Sequence, residues 1–234
     1  LALSKIPAVD FSGGEGYLSM KYAIVFFVLV SNLAFAAQVK KANYPADWWK
    51  KVPRNEAQSW EVLPQDAKPG EVILSKRTEL GILSNFAATS IAIDGKRYPG
   101  LEGFWQMMKY PEGPKDERAK FSGNEWKYTR DQVAQMLGFE AKRAGTLAEH
   151  NMKIMNINWV TYEGKKMPYR VIEKGEHYKL IRRVMQAKLD QNPEVKRLLK
   201  ATGDLILRPD HDQGADVPPA WKYFEIWMDL RREL

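Results

Sequence analysis

Residues 100–113 read GLEGFWQMMKYPEG, and the fold turns on how their middle is read. Residues 102–110 have the character of a short helix that is apolar on most sides, because Phe104, Trp105, Met107, Met108 and Tyr110 point in nearly every direction. One stripe breaks the pattern. Glu102, Gln106 and Lys109 fall at i, i+4 and i+7, which stacks an acid, an amide and an amine on one helical face. A lone Glu in an apolar helix is costly to bury unless it is paired or hydrogen-bonded. Two readings follow: a partly exposed stripe that stabilises the helix, or the polar floor of a cleft in which Lys109 meets an anion.

On the N-terminal side, EVILS (71–75) and SIAID (90–94) have short β-like runs. Asp94-Gly95 is a hairpin-turn signal, with Lys96-Arg97-Tyr98 as the returning strand. Residues 37–70 are polar and carry Pro45, Pro53, Pro64 and Pro69. They read as an N-terminal arm that wraps the domain and anchors through Trp48, Trp49 and Trp60.

On the C-terminal side, residues 111–124 form a turn-rich loop. Thr129 is placed to cap a helix running to about Leu137, with Gly138 as its stop. After a short segment to Gly145, Thr146 is placed to cap another helix to about Ile154. Residues 176–191 form the clearest amphipathic helix, with Leu180, Ile181, Val184, Met185 and Leu189 on one face and Lys, Arg and Gln on the other. Asn192-Pro193 breaks it, and Pro193 suits the first position of a helix to Thr202 that Gly203 ends. Residues 220–234 close the chain as a helix bearing Trp221, Phe224, Trp227 and Met228. The fold class is therefore mainly α (α+β): a compact, multi-helical single domain over 71–234 with a small β element.

Residues 20–37, MKYAIVFFVLVSNLAFAA, have one cation, a short apolar run and an Ala-Phe-Ala site. This is the pattern of a secretory signal peptide over 20–36. Met20 is then the expected start and residues 1–19 precede it; Gly13-Gly14-Glu15-Gly16 is encodable by a purine-rich, ribosome-binding type of run. The expectation is an exported protein, periplasmic or secreted and bacterial, with no stable membrane insertion after cleavage.

Composition narrows the chemistry. The chain has no Cys and three His, which excludes disulfides, thiolate nucleophiles and Cys-based zinc sites. No metal and no cofactor is expected. The formal charge is +7, but acids and bases are interspersed and no Lys/Arg run reaches the length of a nucleic-acid patch. Neither a P-loop, a dinucleotide-binding fingerprint, a G-x-S-x-G elbow nor a zincin motif is present.

Three further stretches carry chemistry-bearing residues. GILSNFA (81–87) sets Ser-Asn beside Gly, either a plain turn or a tight loop that contacts a ligand. Asn158-Trp159 offers an amide and a large π-face, suited to the core or to stacking a heterocycle. RPDHDQG (208–214) groups Asp210, His211 and Asp212 before a Gly, a solvated loop or one suited to acid/base work.

Together these pieces are more specific than apart. LSNFA, IDGKRYPGLEGFWQMMKY, NW, AKLDQN, LLKATGD and MDLRREL, in that order, resemble the NADAR (YbiA-like) family over residues 79–234. There the SNF motif is followed by a segment of the form SEHYFQAQKF. Glu102, Gln106 and Lys109 fall on matching positions, and Gly103 stands where the family has His. The family's WG-x-G loop and later G-x-N-x-LG are replaced by QGADVPPAWKYFEIWM, and VTYEGKKMPYRVIEKGEH is an insert that lengthens the pocket wall.

The resemblance implies a compact, mainly α-helical fold and hydrolysis of an N-glycosidic bond in a ribosylated or ADP-ribosylated nucleobase or nucleotide, through an oxocarbenium-like transition state. It places the active site at Glu102, Trp159 and Asp212, with Asp210 as the alternative to Asp212. In the mechanism this implies, ionised Glu102 stabilises the sugar cation, Asp212 activates water and Trp159 stacks on the leaving base. Asn85, Phe86, Gln106, Lys109, Asn158 and Asp210 are the expected substrate-binding residues. The partner is a small ribosyl or ADP-ribosyl substrate, and nucleic acid only when it is itself ADP-ribosylated. The competing expectation is a catalytically altered module that binds ADP-ribose or NAD without hydrolysis.

Overall fold

The computed structural model of the chain describes residues 43–121, 125–214 and 216–234. The stretch expected to precede the start, the signal-peptide segment 20–36 and the first residues of the arm lie outside the described residues.

The opening stretch forms helix α1, Leu101–Met107, and every residue in it is buried. A helix apolar on most sides has no face to give to water. Its first turn is tied to the SNF loop, since the Glu102 amide donates to the Asn85 carbonyl at 3.0 Å. Its end tightens where Lys109 N–H donates to the Gln106 carbonyl and Tyr110 N–H to that of Met107; Pro111 follows and supplies no donor. Around α1 pack α2 (Arg130–Ala134), α3 (Gly138–Ile154) and α4 (Glu176–Gln191).

Packing accounts for the glycine at position 103. A Cβ there would stand 2.9 Å from the Val133 carbonyl oxygen and closer still to that of Met136. These are backbone atoms of the neighbouring turn and cannot rotate away. Any side chain at 103, His included, requires the two backbones to part.

The boundaries of α2 and α3 differ from expectation. Thr129 does cap, in a reciprocal box with Gln132, but α2 stops at Ala134. Gly138, at φ +49°, opens the next helix instead of closing the previous one. Gly145 and Thr146 then lie inside a continuous 17-residue helix. Gly145 is there for packing: a Cβ would overlap the Gln106 amide. Helix α4 and helix α5 (Pro193–Ala201) have the expected limits, with Thr202 ending α5 and Gly203 at φ +51°. The closing helix α6 is shorter than expected, Tyr223–Arg232, and a 3-10 turn at Pro219–Trp221 precedes it.

The strands described pair in twos. β2 (Ile91–Ile93) and β3 (Lys96–Tyr98) form the Asp94-Gly95 hairpin, both turn residues having positive φ (49° and 75°). β4 (Trp159–Tyr162) and β5 (Lys165–Pro168) repeat the device at Glu163-Gly164, with φ 48° and 74°. β1 (Glu71–Ile73) pairs in parallel with β6 (Ile206–Arg208), which ties the start of the domain to the loop bearing Asp210 and Asp212.

The core runs between these layers. Trp227 of α6 is fully buried and donates Nε1–H to the Leu83 carbonyl at 2.7 Å, fixing the SNF loop from below. Lys188, expected on the solvated face of α4, is also fully buried. Its Nζ donates to the Ser84 carbonyl at 2.8 Å, and burial pushes the amine down to about 7. In the arm, Trp48 is fully buried and donates to Glu79 at 2.8 Å, and Trp49 donates to the Glu71 carbonyl at 3.0 Å. Trp60 remains 42% exposed.

Candidate functional site

A cavity of about 570 Å³ opens over the polar stripe of α1, within the range of small-molecule sites. Glu102, Trp105, Gln106 and Lys109 supply its α1 side. The SNF loop contributes Ser84, Asn85 and Phe86; α3 adds Phe139, Lys142 and Glu149; residues 211–213 follow one another along another wall. Trp60 and Lys76 reach it from the N-terminal side, and Arg170, Trp221 and Tyr223 from the C-terminal part of the chain.

The stripe is buried, not a solvated helix face. Glu102 is 5% exposed, and Gln106 and Lys109 are each 2% exposed. Gln106 donates Nε2–H to Glu102 Oε1 at 2.7 Å. Burial drives the Glu102 carboxyl above its ordinary range, against the Gln106 hydrogen bond and the charges of Lys142, Lys109 and Lys76. Burial thus favours the protonated form of the carboxyl expected to be ionised.

Lys109 does not pair with Glu102. Its Nζ meets Glu149 Oε1 at 2.5 Å, and Arg170 approaches the same oxygen at 3.6 Å. Burial opposes ionisation of Glu149, but the charge and hydrogen bond of Lys109, with Lys142 and Arg170, outweigh it and hold the carboxyl low. Burial pulls the Lys109 amine down in turn. Arg170 also lies over the rings of Tyr169 and Trp221, at 5.1 and 5.4 Å.

The two aspartates of RPDHDQG part company. Asp210 is 1% exposed, pairs with Lys76, and receives His211 Nδ1 at 3.1 Å. Burial would raise its carboxyl, but the bonds from His211 and Lys76 keep it low. Asp210 thus orients two cavity residues and does not itself line the cavity. Asp212 is exposed and does line it.

Asn85, Phe86, Glu102, Gln106, Lys109 and Asp212 are therefore brought together, and Trp159 and Asn158 are not. Trp159 is held on β4 opposite Pro168, with the cations of Lys166 and Arg118 over its ring at 4.4 and 4.8 Å. Asn158 lines an adjoining groove with His150 and Lys153, which shares Glu149 and Arg170 with the cavity. Trp159 is committed to the β4–β5 ladder, and neither residue lines the cavity. The insert still reaches the site through Arg170.

Sequence reading missed Trp60, Lys76, Lys142, Glu149, Trp221 and Tyr223, since each is polar or aromatic at a position without a motif. Among the described residues the buried polar atoms Asn85 Oδ1, Gln106 Oε1, Gln213 Oε1 and Trp221 Nε1 have no hydrogen-bond partner, and all four belong to cavity residues. Such atoms are rare in folded proteins, and a ligand or water that completes them is one physical explanation of each.

No protein-family model and no curated protein matches the chain. Among solved structures, the NMR structure of the E. coli protein YbiA is similar, at 19% identity over 68% of this chain and 80% of that one, with a TM-score of 0.38. A likeness at that level carries nothing about the site, whose reading rests on its own residues.

Proposed function

We propose that this chain is a hydrolase that cleaves the N-glycosidic bond of a ribosylated or ADP-ribosylated nucleobase or nucleotide. One observation carries the reading. Glu102, a buried carboxyl with raised proton affinity, and Asp212, an exposed one, line a single cavity that also holds four cationic side chains, Lys76, Lys109, Lys142 and Arg170. A buried carboxyl whose burial favours the protonated form suits the acid role, and an exposed carboxylate in the same cavity suits the base role; the third carboxyl there, Glu149, is engaged by Lys109.

In this mechanism Glu102 donates its proton to the leaving nitrogen as the C1′–N bond breaks. The carboxylate that remains then faces the sugar cation it helped to form, where low dielectric strengthens the attraction. Gln106 holds the carboxyl in place throughout. Asp212 takes a proton from the water that attacks C1′. Lys142 and the paired cations Lys76, Lys109 and Arg170 draw the anionic groups of the substrate. The secretory pattern of residues 20–36 adds the proposal of an extracytoplasmic, NAD-derived or ADP-ribosylated substrate, which cell fractionation tests: a cytoplasmic protein contradicts it.

A second reading, a module that binds ADP-ribose or NAD without cleaving it, has its own observation: Asp212 stands exposed, where water competes for its carboxylate. Chromatographic detection of base release from NAD and from ADP-ribosylated nucleotides, beside calorimetry with ADP-ribose, separates the two. Release supports the hydrolase. Binding without release across that panel supports the module.

A further inference from the structure

The segment before Glu79 contributes a part of the cavity that the family-like region does not contain. Trp60 is 42% exposed and Phe139 is 51% exposed, yet both line the cavity, whereas Phe104, Trp48 and Trp227 are fully buried. The two rings meet edge to face, centroids 5.9 Å apart at 60°. Phe86 also meets Phe139 edge to face, at 4.9 Å and 90°.

Trp60 is not loose despite its exposure. The next residue, Glu61, pairs with His211 in an isolated antiparallel bridge, and Val62 N–H donates to the Asp210 carbonyl at 2.9 Å. Arg77 clasps the Glu61 carboxylate through Nε at 2.6 Å and Nη2 at 2.8 Å. The backbone that carries the indole is therefore tied to the loop that bears Asp212, which lowers the cost of ordering the ring under a ligand. Cations accompany the aromatic pair. Lys76 Nζ lies 5.6 Å from the Trp60 ring centre and 5.0 Å from that of Phe86, and Lys142 follows Phe139 by three residues on α3, on the same side of the helix.

We infer that Trp60 and Phe139 form a stacking subsite for the adenine of an ADP-ribosyl substrate, distinct from the leaving base. This deepens the reading above and rests on it. Glu102 at 5% exposure marks the deep end of the cavity and the half-exposed aromatic pair marks its mouth. A ribose reacting at Glu102 leaves the mouth to the distal end of the ligand. Planar aromatic walls flanked by cations fit a nucleobase joined to phosphates. A 5-phosphoribosyl substrate has no group to place there, so the subsite selects the ADP-ribosyl class.

The test is calorimetry of the wild type, Trp60→Ala and Trp60→Phe with two probes, ADP-ribose and ribose 5-phosphate, folding being checked by circular dichroism. The exposed position makes Trp60→Ala tolerable to the fold, and Phe139→Ala is the second variant. Each Ala change is expected to weaken ADP-ribose by about 5- to 100-fold and ribose 5-phosphate by less than about twofold, with Trp60→Phe recovering most of the loss. Equal weakening of both probes, no weakening, or a wild type that binds no ADP-ribose overturns the subsite. Base release separates this inference from the one beneath it. A wild type that releases no base but loses ADP-ribose selectively in Trp60→Ala keeps the subsite and loses the hydrolase. A wild type that releases base while Trp60→Ala binds ADP-ribose normally does the reverse.

Discussion

The Gln106 amide occupies space that only a glycine at position 145 leaves open: a Cβ on Gly145 would overlap its Oε1 and Cδ. Helix α3 thus forgoes roughly 1 kcal/mol of helix propensity at its middle, and Gln106 can lie along the cavity floor with its Nε2 on Glu102.

Gly145→Ala tests that relationship. The clash is with the end of a flexible side chain, so Gln106 turns aside and the helices stay. Propensity gained and hydrogen bond lost nearly offset, and stability changes by about 1 kcal/mol or less. Base release falls about tenfold or more, because Glu102 loses the group that orients it. Denaturant melts beside turnover measure both; loss of folding with retained specific activity contradicts the assignment.

Gly103→Ala has the opposite signature. Its Cβ meets backbone oxygens of Val133, Ala134 and Met136, which cannot turn aside. We expect a loss of about 1–3 kcal/mol from overpacking, and a larger one for Gly103→His, read from urea denaturation midpoints. A neutral Gly103→His would show that α1 and α2 separate more easily than their contacts imply.

His177 sets an acid limb on stability. It is buried against Trp105, with ring centres 4.9 Å apart. Burial, aided by the Lys109 charge, pushes it down to about 4 from 6.5. Between those values the unfolded chain binds a proton that the folded one refuses, so stability is present above about 6.5 and is lost as the pH falls towards 4. The expected loss is about 3 kcal/mol at most. His177→Gln should flatten this part of the stability–pH curve; an unchanged slope contradicts the assignment.

Glu102 gives the reverse dependence. Its raised carboxyl binds a proton in the folded state above 4.5, where the unfolded chain has released it. The wild type therefore loses stability relative to Glu102→Gln as the pH rises above about 4.5, by up to about 1.4 kcal/mol per unit. Paired melts across pH 4–8 check this, and a constant difference contradicts a raised carboxyl.

The parts of the molecule legible in its sequence are those set by local chemistry. The limits of α4, the Pro193 start of α5 and the Asp94-Gly95 hairpin follow from periodicity, proline geometry and positive-φ turn residues. What escaped depends on neighbours far along the chain. Gly138 and Gly145 look like helix stops until Gln106 is seen against one of them. Lys188 fits a polar face until the Ser84 carbonyl and Trp227 enclose it. At the site, the stripe of α1 was visible from spacing, and the loop bearing Asp212 from composition. Trp159 was misplaced because a π-face in sequence has no direction until the β4–β5 hairpin gives it one. Trp60, Lys76 and Glu149 carry no local signal and come to the cavity only through the tertiary fold.

Delivery of the proton to the leaving nitrogen by Glu102 is decided by single-turnover base release from an ADP-ribosylated nucleotide with folded Glu102→Gln. Glutamine keeps the size and a polar tip but has no proton to give, so the expected rate is lower by about 10²- to 10⁴-fold. The wild-type rate in a folded Glu102→Gln protein would contradict it.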